Sequence, residues 1–256
     1  MPVTKLAESK GLVYMFVRQS RFTAQLMEGR RLVQAGELGD VYYAETRWIH
    51  TRWCSARGWR HDKAKGGGVL LDLGIHAIDN VWFMMGSPRP TEVMAGLYCT
   101  FSDLAPPEQT YTADDAACGF VRFENGCTLH FAVAFSLNTT NRQVPAADSD
   151  LVKSEIQEFQ LYGTKAGLES GKLLVGTPDG VKVKPIRLNT SSQASPGAPA
   201  QKADDITLQA REFIRAIREK DEPLNSGSQA VMLMQMLDGA MKSSETGRAV
   251  AIQPIS

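Results

Sequence analysis

Apolar and polar positions divide the chain into a short run of elements. Residues 11–18, GLVYMFVR, are apolar almost without a break, as in a buried strand. Residues 23–35 follow with helical spacing, placing Leu26, Arg30 or Arg31, and Val33 on neighbouring turns. Gly36 ends this helix, and GELGD forms a turn. VYYAETRWI (41–49) is rich in aromatic and β-branched residues and predicts a strand. After the irregular, basic segment HTRWCSARGWRHDKAK, residues 69–85 predict a helix of about five turns that stops at Gly86-Ser87-Pro88. Strands are then expected at 91–101, 115–124, 127–136, 156–163, 172–175 and 180–186. No helix separates them, which predicts a mostly antiparallel sheet rather than a βαβ array. Asn125-Gly126 reads as a two-residue hairpin turn that sets Cys127 opposite Glu124 and Cys118 opposite Val133. Residues 137–154 and 189–203 break the pattern as polar or Ser/Ala/Pro-rich loops. Helices at about 205–219 and 226–246 close the chain, the second capped by Asn225, Ser226 or Ser228.

One of these helices carries unexpected chemistry. Between residues 69 and 85 the only polar side chains are Asp72, His76, Asp79 and Asn80. At about 100° per residue, Asp72, His76 and Asp79 fall on one narrow stripe. A surface helix would carry Lys, Glu and Gln on its solvent side, and this one carries none. The helix is therefore expected to be covered nearly all round, with its stripe facing something specific. Residues four apart lie about 5–6 Å apart at Cβ, so Asp72 is expected to support His76 and favour its protonated form. The preceding Gly66, Gly67 and Gly68 leave room for another backbone or a planar ligand near the free N–H groups of the helix start. A buried polar pair that only orders the core competes with this reading. So does a metal site built from the three residues, although no second His/Cys cluster lies nearby.

Charge and cysteine usage narrow the class. Lys plus Arg and Asp plus Glu are both 28 among 256 residues, so the net charge is zero, which argues against nucleic acid or an anionic membrane as the main partner. Cys54, Cys99, Cys118 and Cys127 form no C-x-x-C pair and fit free thiols in a reducing cytoplasm. The longest apolar runs are too short to span a bilayer, and the first residues show no signal-peptide cleavage site.

GGGVLLDLGIHAIDNVWFMMG resembles the signature helix of the glucose–fructose oxidoreductase/inositol dehydrogenase (Gfo/Idh/MocA) family. GLVYMFVRQSRF is similar to the strand that ends that family's nucleotide-binding domain, and LVQAGELGDVYYAETRW to the start of its second domain. GWRHDKAKGGG, FQLYGTKAGLESGKLLV and the tail from FIRAIREKDEPLNSG onward resemble later segments, in the same order. The resemblance implies an NAD(P)-dependent oxidoreductase of sugars, polyols or related hydroxy compounds. His76 matches the family's proton-transfer His and Asp72 its partner. The implied fold is α/β (α+β): a large open, predominantly antiparallel sheet with helices on one face. Residues 1–19 are then the end of a Rossmann domain, and 20–256 the C-terminal substrate-binding and oligomerisation domain. The sequence contains no Glu-Lys-Pro motif and no G-x-G-x-x-G, so NAD or NADP is not expected to bind to this chain alone.

Further residues are candidates beside the helix. Trp59 and Arg60 are expected to wall the substrate, Arg60 donating hydrogen bonds to hydroxyl or carboxylate groups, with Asp79 as a third contact. The alternative is a Trp capping the core and an Arg pairing with Asp62. Lys63 and Lys65 read as solvated loop charges, and His130 as an ordinary sheet-face residue. Helices cover only one face of such a sheet, so a homodimer or homotetramer through the open face is expected.

Overall fold

The computed structural model describes residues 2–51, 58–105, 108–139, 155–169, 171–186 and 204–255. Cys54, most of the polar stretch over 137–154 and the loop expected at 189–203 lie outside them. Among the described residues there are five α-helices: α1 (Pro2–Ser9), α2 (Ala24–Gln34), α3 (Ile75–Met84), α4 (Asp205–Glu219) and α5 (Gly227–Thr246). Nine strands form one sheet: β1 (Val41–His50), β2 (Pro90–Tyr98), β3 (Ala116–Phe123), β4 (Thr128–Ala134), β5 (Glu155–Gly163), β6 (Ala166–Glu169), β7 (Lys172–Thr177), β8 (Gly180–Pro185) and β9 (Val250–Ala251). Their order is β8-β7-β6-β5-β1-β4-β3-β2-β9. Among the described strands only β1 and β4 run parallel, and every other pair is antiparallel. The expected α/β class and antiparallel sheet are therefore observed, with β6 and β9 as additional short strands.

Register separates the two faces. Val93, Val121, Leu129, Ala44, Leu161, Leu168 and Leu173 form a continuous cross-strand row, and the first six are buried. Helices α2, α3 and α5 pack over this side. The adjacent row on the other face reads Met94, Phe120, His130, Glu45, Gln160, Glu169 and Lys172. Met94, Tyr98 and Phe120, about half exposed, make its β2–β3 end apolar. His130 stacks on Phe120 there, with ring centroids 4.9 Å apart.

Two sequence expectations need correction. The β3–β4 connection is three residues long: Gly126, at φ +83°, donates to the Phe123 carbonyl, and Phe123 donates to Cys127. Cys118 therefore pairs with Ala132, one residue out of the expected register. Because side chains alternate, that single step moves Val121 and Phe123 onto the covered face beside Leu129 and Phe131. Residues 11–18 form no sheet strand. Met15 makes one bridge to Ser226, and Leu12 and Val17 are exposed. The segment is apolar as expected, but the described residues supply no neighbouring strand for it.

Among the described residues no helix is long and apolar enough to cross a membrane. Cys99, Cys118 and Cys127 are free thiols.

Candidate active site

The polar helix starts where three parts of the chain converge. A Cβ at Gly67 would collide with the backbone carbonyls of Trp59 and Arg60, and one at Gly68 (φ +127°) with the Asp114 carboxylate. The close approach foreseen at Gly67 and Gly68 is thus made by this chain's own atoms, whereas Gly66 faces open space. Asp114 caps the helix from a distant loop. Its Oδ2 accepts from the Leu70 N–H at 2.9 Å and its carbonyl from the Val69 N–H at 2.9 Å. Burial pushes the Asp114 carboxyl above the usual carboxylate range. Two of the N–H groups that can attract a phosphate are therefore already engaged, Leu70's by the Asp114 carboxylate and Val69's by the Asp114 backbone carbonyl.

The first turn, Leu70–Gly74, is wound as a π turn before α3 begins. A π turn takes more residues than an α turn, so the 100° spacing does not hold across Asp72. Asp72 Oδ2 accepts from Arg60 Nε at 2.9 Å, and the Arg60 guanidinium lies 5.4 Å from the centre of the Trp59 ring. Asp72 therefore hydrogen-bonds Arg60 rather than His76, and acts on His76 only as a weaker, outweighed charge. Arg60 does not pair with Asp62, which takes Lys65 at 3.0 Å; Lys63 is exposed and lies 3.9 Å from Glu245.

Asp79 is also assigned differently. It is wholly buried, and Arg21 clamps it through Nε at 2.9 Å and Nη2 at 2.5 Å. Arg21 is itself fully buried among Phe16, Trp82 and Phe83 and also donates to Gln229. Enclosed in this way, Asp79 anchors the segment before α2 to α3. Ser20 strengthens that junction by donating to Asn80 at 2.8 Å.

His76 sits half-buried beside the clamp. Arg18 Nη1 donates to its Nδ1 at 3.2 Å, and Arg18 Nη2 to the Ile75 carbonyl at 2.7 Å. The Trp48 ring lies 6.2 Å away. Burial, together with the Arg18 charge, holds the imidazole below its ordinary pKa, outweighing Asp79 and Asp72. The protonated form is thus disfavoured, opposite to the expectation from Asp72 alone. Arg18 and Arg21 were not evident as site residues. The signal was two arginines closing an apolar run, in a chain whose most apolar helix carries carboxylates that need cations.

A cavity of about 450 Å³ adjoins this helix between α2, β1 and β5; Ser20, Thr46, Trp48, Asn80 and Gln157 are among its lining residues. Its polar groups are mostly neutral hydrogen bonders, beside one indole face. Among the described residues no group of three or more His, Cys, Asp or Glu can hold a metal. Asp72 and Asp79 are each already paired with a guanidinium.

An open, predominantly antiparallel sheet with helices over one face defines an α/β domain. Residues 30–252 match the family model described as the oxidoreductase family, C-terminal alpha/beta domain (GFO_IDH_MocA_C), and the chain belongs to that family. It is 25% identical to D-glucoside 3-dehydrogenase of Escherichia coli (strain K12), over 96% of this chain and 66% of that protein. It is 20% identical to the Bacillus subtilis (strain 168) scyllo-inositol 2-dehydrogenase (NADP(+)) IolW, over 97% of this chain and 67% of that one. The chain therefore spans about two thirds of the length of these relatives. The structure of levoglucosan dehydrogenase in complex with NADH and L-sorbose superposes with a TM-score of 0.77 at 18% identity, covering 98% of this chain and 69% of that one.

Proposed function

We propose that this chain forms the substrate side of an NAD(P)-dependent oxidoreductase of sugars, polyols or related hydroxy compounds. Residues 20–256 form its substrate-binding and oligomerisation domain, and 1–19 the end of a nucleotide-binding domain. The observation that carries the reading is a cavity rich in neutral hydrogen-bonding groups and lined by Trp48, whose ring lies 6.2 Å from His76. Ser, Thr, Asn and Gln around an aromatic plane suit a polyhydroxylated, uncharged compound. Family membership and the sugar and polyol names of the relatives support the same class.

NAD or NADP supplies the hydride chemistry when bound. The described residues do not fit its pyrophosphate, because the helix start is occupied by Asp114. What this chain contributes is binding and polarity. Asn80 accepts from Ser20 and keeps its amide N–H groups for a ligand. His76 and Asp72 lie one turn apart at the helix start and supply groups for hydrogen bonding and proton transfer. Arg60, fixed by Asp72 and half exposed, closes one side with Trp59. The apolar end of the open sheet face supports self-association, and the free thiols fit a cytoplasmic setting.

Ligand-observed NMR with a panel of glucose, myo-inositol and glycerol, set against gluconate and phosphate, tests the substrate class. Saturable binding of a neutral polyol, lost in Asn80→Ala, is expected. Binding of the anions alone would overturn it.

A further inference from the structure

We infer that the open sheet face covers its own copy about a two-fold axis lying over Tyr43 and Tyr162, so that the β2–β3 corner of one chain rests on the β7–β8 corner of its partner. The inference rests on the self-association proposed above and fixes its geometry.

Register locates the two corners. Lys184 pairs with Leu173 of the covered row, so alternation turns Val181 and Val183 to the open side of β8. They are 62% and 59% exposed, and Leu174 on β7 stands opposite Val183. This makes a second apolar corner, at the far edge of the sheet from Met94, Tyr98 and Phe120. The corners are also displaced along the strands. The row that starts at Val183 and Leu174 crosses Tyr162 and Tyr43 and ends at Arg122. Phe120 and Met94 stand in the next row, with Gln160 and Glu45, and Tyr98 lies further along β2. The two corners therefore face each other diagonally, and the midpoint between them falls on Tyr43, Tyr162, Glu45 and Gln160.

Two faces that look at each other are related by a two-fold axis lying in the plane of contact, and the same surface is used on both sides. An axis over the midpoint sets each apolar corner on the opposite corner of the partner. An axis through Phe120 would cover one corner twice and leave Val181 and Val183 in water. The area agrees with a stable pair. From β8 to β2 the face is about 34 Å wide at ~4.8 Å per strand and about 20 Å along strands of six residues, hence about 700 Å², close to the ~800 Å² per partner of a standard interface.

The polar centre is prepared for contact. The Tyr43 and Tyr162 rings stack with centroids 5.1 Å apart. Glu45 accepts from the Tyr43 hydroxyl at 3.1 Å and from the Tyr162 hydroxyl at 2.9 Å, and Gln160 also meets the Tyr162 hydroxyl. Burial, with Glu45 beside them, holds both phenols above the ordinary tyrosine range, so they remain donors. Arg47 lies 3.8 Å from Glu158, and Arg122 3.5 Å from Glu92. Charges already paired within their own chain cost less to bury than lone ones, and stacked tyrosines at the centre supply the aromatic anchors on which interfaces depend.

Cross-linking of the full chain tests this. In Val183→Cys combined with Cys54→Ser and Cys99→Ser, Cys118 and the new thiol both lie on the open face, while Cys127 is buried. A short bismaleimide is expected to join Cys118 of one chain to position 183 of the other, as read by peptide mass spectrometry. Sedimentation equilibrium is expected to show half the wild-type mass in Val183→Asp. Ile214→Asp, on the outward side of α4, which packs on the turn before α2, is expected to keep the wild-type mass. A Cys118-to-Cys118 link as the main product, no link at position 183, or an unchanged mass in folded Val183→Asp overturns the geometry while self-association stands. If Val183→Asp does not fold, the cross-links decide. Halving of the mass in Ile214→Asp would move the interface to α4 and overturns the inference as well. A wild-type monomer removes self-association itself.

Discussion

Asp79 and Arg21 meet through both carboxylate oxygens, and neither side chain reaches solvent. One belongs to the polar helix and the other to the short turn before α2, so a single ion pair ties the candidate site to the segment that delivers Arg18. Removing one member of a buried pair leaves the other charge uncompensated, at about 3–5 kcal/mol. Asp79→Asn and Arg21→Met are each expected to lose about that much in urea unfolding, while the double variant Asp79→Asn/Arg21→Met recovers part of it. Additive losses in this cycle would show that the two residues are not coupled.

The lowered pKa of His76 makes stability depend on pH in a defined direction. The unfolded ring takes up a proton near its ordinary value, about 6.5, and the folded ring takes it up only at lower pH. The unfolded state therefore binds more protons in this window, and stability falls as pH drops below about 6.5. His50, lowered by burial, contributes with the same sign. Urea midpoints at about pH 7.5 and 5.5 are expected to differ in the wild type and to differ by less in His76→Asn, the His50 share remaining. An equal pH dependence in the variant would remove His76 as a source.

Nicotinamide binding should be weak in this chain alone. The helix start that can attract phosphate is capped by Asp114, and the sequence holds no glycine-rich dinucleotide loop. Titration with NADH, followed by nicotinamide fluorescence, is expected to give no saturation at low micromolar concentration. A dissociation constant in that range would reveal a site built from other residues.

The open sheet face should mediate assembly. Met94, Tyr98 and Phe120 are 54%, 53% and 49% exposed on one side of neighbouring strands, and a two-fold contact covers such a patch with its own copy. Sedimentation equilibrium is expected to show a dimer or a dimer of dimers. Phe120→Asp, at a surface position, should shift the mass to the 28.0 kDa monomer without loss of folding. A wild-type monomer at micromolar concentration would rule the interface out.

The sequence by itself determined the elements and the identity of the unusual helix. Alternation and apolar runs depend on neighbours close along the chain, so β1, β3, β4 and β5 and helices α2, α3, α4 and α5 were legible, as was the singular polarity of Asp72, His76 and Asp79. Tertiary structure decided what those three residues do. Asp72 pairs with Arg60, a residue from the irregular segment before the helix. The junction before α2 brought Arg18 and Arg21, nearly sixty positions away, to His76 and Asp79. A three-residue turn in place of a two-residue one moved a whole strand face. Side-chain spacing fixes which residues share a helix, but which charge neutralises which is settled only when distant segments pack, because a buried carboxylate takes the nearest guanidinium that the fold presents.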